Sequence, residues 1–132
     1  MKRNIQRIFI LSLLCLPLTG AFAASGRKLV KDANKLYQSD DSAKVAEALE
    51  KYMQARESRK DRFEIPFNIG KTYSKLGHET EAQTWLEEAA RSTDKKVKAD
   101  ANYQLGNNQF RKKKWDEAIR YYTDALRSNP SD

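Results

Sequence analysis

Three times along the chain an alanine is followed by a large side chain four residues on and by a second alanine three further: Ala48, Tyr52, Ala55; Ala82, Leu86, Ala89; Ala118, Tyr122, Ala125. The leading alanines stand 34 and 36 residues apart. Residues four and three apart share one face of an α-helix, so each set predicts a helix with a small-large-small stripe. Upstream of each lies a second helix-periodic segment centred on a small residue: Ala33 beside Asn34, Gly70 between Ile69 and Lys71, Gly106 between Leu105 and Asn107. Those small residues are 37 and 36 apart. Turns such as Leu76-Gly77-His78 and Lys112-Lys113-Lys114 separate the two segments. The pattern predicts an all-α fold of three tandem helical hairpins, at about 26–62, 63–98 and 99–132.

The composition fits that architecture. Among 132 residues there are five Gly and three Pro, too few to punctuate a sandwich or barrel. One Cys closes no intrachain disulfide and one His builds no zinc site, so packing must supply the stability. Antiparallel helices approach closely only where small side chains cross, the role expected of Gly70, Gly106, Ala48, Ala82 and Ala118. Trp85, Leu86, Trp115, Tyr121 and Tyr122 are then expected to pack between hairpins. Material for catalysis is poor. His78 sits in a turn, and Glu87-Glu88 and Asp40-Asp41 read as solvated pairs, so no enzyme activity, cofactor or metal is expected.

The first 23 residues read differently. Lys2, Arg3 and Arg7 precede an apolar run from Ile8 to Leu18, and Ala21-Phe22-Ala23 ends in small residues two apart. That order predicts a secretory signal peptide over 1–23 and an exported, most simply periplasmic, domain over 24–132. The run falls short of the roughly 20 residues of a membrane span, so anchoring is the weaker expectation. Cleavage removes the Cys and three of the 25 basic residues but none of the 18 acidic ones, lowering the net charge from +7 to +4. A thiol-free chain suits an oxidising compartment.

The last unit reads Leu105-Gly106, Trp115-Asp116-Glu117-Ala118-Ile119, Tyr122, Ala125-Leu126 and Asn129-Pro130. This resembles the tetratricopeptide repeat (TPR) family, and the middle unit keeps Gly70, Tyr73, Gly77, Ala82 and Ala89 of the same pattern. The first unit is the weakest, with Ala33 for the glycine and three extra residues around Ser39-Asp40-Asp41. A leader followed by a few such repeats is similar to the small TPR proteins of bacterial aerotolerance (Bat) operons. The resemblance implies a short right-handed superhelix whose concave face, lined by the first helix of each hairpin, binds an extended peptide segment. The residues it points to are Lys31, Asn34, Phe67, Asn68, Lys71, Lys75, Tyr103, Gln104, Asn107 and Arg111. Asn34 and Asn68 are set against the amides of family members that clamp a C-terminal carboxylate. Val30, Asp100 and Gln104 stand where those members carry cations, which favours an internal segment instead.

The function expected is a non-catalytic protein-protein adaptor in the bacterial envelope. The alternative is a membrane-surface or cell-wall-associated accessory that regulates an envelope enzyme or stress complex. Arg111-Lys112-Lys113-Lys114 and Lys95-Lys96-x-Lys98 could meet an anionic membrane surface, whereas export argues against nucleic acid. Repeat arrays normally finish on a polar cap. The third unit reaches Asp132, so the outer face of its last helix, with Ile119 and Leu126, is expected to be uncovered and open to self-association.

Overall fold

In a computed structural model the backbone is described over residues 19–129 and the side chains over 25–129, so nearly all of the expected leader lies outside the described residues. The described residues form six α-helices and no strand: α1 (Thr19–Tyr37), α2 (Ser42–Ser58), α3 (Glu64–Lys75), α4 (Glu79–Ala89), α5 (Lys95–Arg111) and α6 (Trp115–Ser128). They pair in sequence as α1 with α2, α3 with α4 and α5 with α6, and each hairpin stacks on the next through α2–α3 and α4–α5 contacts. This is the all-α array of helical hairpins that the repeat pattern predicts.

Local chemistry sets the helix ends. Asp41 caps α2 by accepting from the Ala43 amide at 2.9 Å, and Asp94 caps α5 by accepting from Lys96 and Val97 at 2.8 and 3.1 Å. A serine two residues ahead braces each cap. Ser39 Oγ accepts from the Asp41 amide, and Ser92 Oγ from the Asp94 amide. The extra residues of the first unit therefore build a capped turn. Pro66 is buried in the first turn of α3, where its missing N–H deprives the helix of no bond. The α3–α4 and α5–α6 turns close alike: His78 N–H donates to Tyr73 O at 2.9 Å, and Lys114 N–H to Gln109 O at 3.0 Å. The left-handed residue inside each is Gly77, at φ 81°, and Lys113, at φ 58°.

The core lies along the crossings. Ala33, Ala48, Tyr52, Ala55, Ile65 and Ile69 form its buried cluster, with Leu29, Leu49 and Trp85 packed against it. A methyl on Gly70 would lie 2.7 Å from Leu86 Cγ, and one on Gly106 2.5 Å from the Tyr122 ring, so the small residues are where the helices touch. The aromatics of α6 depart from the expected packing between hairpins: Tyr122 meets Tyr103, Gly106 and Asn107 of its own hairpin. Trp115 packs edge-on to Phe110, with ring centroids 5.1 Å apart, yet is 51% exposed. Its counterpart Glu79 is covered by the hairpin that follows it, and among the described residues no hairpin follows α6.

Candidate peptide-binding groove

The first helices of the hairpins make one surface. Lys75 Nζ on α3 donates to the Tyr37 carbonyl on α1 at 2.8 Å, and Ser74 Oγ on α3 donates to Asn108 Oδ1 on α5 at 3.3 Å. The residues directly following the crossing positions Ala33, Gly70 and Gly106 are Asn34, Lys71 and Asn107. They occupy one place in each hairpin.

The two asparagines are held the same way. Tyr52 Oη of α2 donates to Asn34 Oδ1, and Tyr122 Oη of α6 donates to Asn107 Oδ1 at 2.9 Å. Each tyrosine reaches from the second helix across the small crossing residue and takes the amide oxygen. The amide NH2 is thereby left as the group that can meet a ligand. In the middle hairpin the pair is replaced by Lys71 and Leu86. Lys71 Nζ lies 5.0 Å from the centre of the Tyr37 ring and 5.4 Å from that of Phe67, held over aromatic faces with no acidic partner among the described residues. Lys75 Nζ lies 4.9 Å from the same Tyr37 ring. The row therefore reads donor, cation, donor.

Burial raises the pKa of both tyrosines behind the first position. Tyr37 is shifted upward, and Tyr52, 2% exposed, is pushed up to about 12 by desolvation and by the neighbouring Tyr37. Both hydroxyls stay protonated through the neutral range, so Tyr52 keeps its proton to donate.

Not every predicted groove residue joins this row. Asn68 stands two positions before Gly70, whereas Asn34 directly follows Ala33, so the two amides are not equivalent and Lys71 is the true counterpart of Asn34. Asn68 is half-buried, and its carbonyl accepts from Thr72 Oγ1 at 2.7 Å. Lys31 and Gln104 share the Asn68 register, the former exposed and the latter half-buried. Tyr103 is 53% exposed and leans on Tyr122, with ring centroids 5.7 Å apart. Arg111, expected as a groove cation, is committed elsewhere: Nη2 donates to Glu79 Oε1 at 2.9 Å and to Asn108 Oδ1, tying α5 to the start of α4. Its charge is largely answered inside the molecule. The reading of the sequence missed Tyr37, Tyr52 and Tyr122 as parts of the groove. The available signal was an asparagine and a tyrosine recurring together in the first and third units but not the second.

Two further properties bound the chemistry. Among the described residues no group of three His, Cys, Asp or Glu could hold a metal ion, and no helix is long and apolar enough to cross a membrane.

Comparison with known proteins agrees with the geometry. Tetratricopeptide repeat family models match residues 64–95 and 99–132, together half of the chain. The chain belongs to the tetratricopeptide repeat family. It is also 39% identical over 61 residues to U-box domain-containing protein 70 of Oryza sativa subsp. japonica, a match covering 46% of this chain and 7% of that relative. Repeats of this family generally mediate protein-protein interaction, typically as non-catalytic scaffolding.

Proposed function

We propose that the chain is a non-catalytic adaptor of the bacterial envelope that binds an extended segment of a partner protein along the face of α1, α3 and α5. The observation that supports this reading is the row Asn34, Lys71, Asn107, with both amide oxygens engaged by tyrosines. Its free functions are donors. A segment in extended conformation offers backbone carbonyls at regular intervals, and an acidic side chain at its middle would meet Lys71. Phe67 and Tyr103 flank the row with apolar surface for the segment's side chains. The basic, apolar, small-residue order of the first 23 residues supports export.

The test is capture on an array of extended peptides with acidic, neutral or basic central residues. Acidic peptides are expected to bind best. Lys71→Glu should reverse that preference, and Asn34→Ala with Asn107→Ala should weaken binding about 10-fold, as the loss of one or two hydrogen bonds implies. Undiminished capture by all these variants would assign binding to another face. Signal-dependent appearance of the chain in a periplasmic fraction tests the location.

A further inference from the structure

The second helices share a register in which Leu49, Gln83 and Ile119 are equivalent, as are Arg56, Ala90 and Leu126. On α2 and α4 this flank is covered by the next hairpin. Leu49 packs on the cluster that contains Ile65 and Ile69 of α3, and Gln83 Oε1 accepts from Gln109 Nε2 of α5 at 3.3 Å. On α6 the same flank is bare among the described residues, with Ile119 62% and Leu126 63% exposed. Beside it opens a cavity of about 460 Å³ lined by Ala99, Asp100, Tyr103, Tyr122, Ala125, Leu126 and Asn129. A protruding side chain, Ile119, and a socket at Leu126 thus lie on one helix face, about two turns apart.

The charges at the two ends of that face are opposite and meet when the helix is reversed; Arg120 stands between them on the same edge, and Arg127 also pairs with Asp124 of its own helix at 3.9 Å. Asp116 lies in the first turn of α6 and Arg127 in the last. About three turns separate them, which puts them on the same edge of the face. A two-fold axis near the middle of α6 would set Asp116 against Arg127 of the partner subunit at both ends of the contact, and would carry each Ile119 to the other copy's socket. In a parallel two-fold pair this edge of one copy would lie on the far side of the contact from the same edge of the other, and Asp116 and Arg127 would not meet. Antiparallel helix dipoles favour the first arrangement as well. We propose that α6 is the contact of a homodimer built on this axis, an isologous interface in which one patch meets itself. The 14 residues of α6 span about 21 Å, so the buried area falls at the low end for stable complexes. Monomer and dimer then exchange with concentration in the micromolar range and above.

Sedimentation equilibrium of the full chain, from low micromolar to near-millimolar concentration, is the test. The expected mass climbs toward twice that of the monomer. Asp116→Arg and Arg127→Asp should each weaken association about 10-fold, because symmetry repeats each unfavourable pair. The double variant D116R/R127D should restore it, and Ile119→Asp should abolish it, with circular dichroism confirming that these exposed substitutions leave the helices intact. A monomer at every concentration overturns the proposal. So does association indifferent to all four variants, which would place the contact elsewhere, the apolar segment before Thr19 included. Weakening by both single changes without rescue in the double variant overturns the antiparallel pairing.

Discussion

Lys113 is the only described non-glycine residue with a positive φ, 58°, and it stands in the turn where the middle hairpin has Gly77 at 81°. A side chain in the left-handed region costs about 1–2 kcal/mol, against about 0.5–1 kcal/mol for the extra freedom that glycine gives the unfolded chain. Lys113→Gly should therefore raise stability by up to about 1.5 kcal/mol, read as a higher urea midpoint at unchanged slope. Tyr52 supplies a pH prediction. Its pKa is raised from 10.0 to about 12 in the folded chain, so between those values the native state holds a proton that the unfolded state has lost. Stability is accordingly full below pH 10 and falls as pH rises toward 12. Tyr52→Phe should flatten that fall in a series of thermal melts, while leaving the Asn34 oxygen, which is exposed, to water.

At the scale of helices, the two crossing glycines look alike in sequence but have different surroundings. A methyl on Gly70 meets Leu86 at Cγ, Cδ2 and the backbone nitrogen, the last at 3.1 Å, and the helix cannot withdraw its own backbone without losing contacts elsewhere. The three atoms nearest to a methyl on Gly106 all belong to the ring of Tyr122, which borders the open cavity and can swing into it. Gly70→Ala should cost about 1–3 kcal/mol and Gly106→Ala less, with the second change also releasing the Tyr122 hydrogen bond to Asn107. Equal urea midpoints for the two variants would contradict this account of the crossings. The hairpins themselves were legible because each is written within one repeat: an alanine stripe, a small crossing residue and a turn. What escaped was written across repeats. Nothing local tells that Arg111 pairs with Glu79, 32 positions earlier, or that Trp115 lacks the cover that Glu79 receives. The row of groove donors was half legible. Asn34, Lys71 and Asn107 were marked, but their common register emerges only once Ala33, Gly70 and Gly106 are seen at equivalent crossings.

For the whole molecule, stability runs along the array rather than around one centre. Helix α3 packs on α2, α4 and α5, whereas the main packing of α6 is on α5. The buried cluster likewise draws on the first two hairpins, while five of the six exposed large apolar residues belong to α5 and α6. In dilute solution α6 should open locally at a lower free energy than α3 and α4, so its amides exchange hydrogen first. Dimerisation through α6 would change that order selectively, because binding stabilises only the state that presents the intact face. Native-state hydrogen exchange at two concentrations, one on either side of the dissociation constant, separates the two contributions. Protection of α6 should rise with concentration, and protection of α3, which opens only with the whole array, should change far less. If α6 and α3 exchange together at both concentrations, the array unfolds as one unit and the end hairpin has no independent equilibrium for a partner copy to bias.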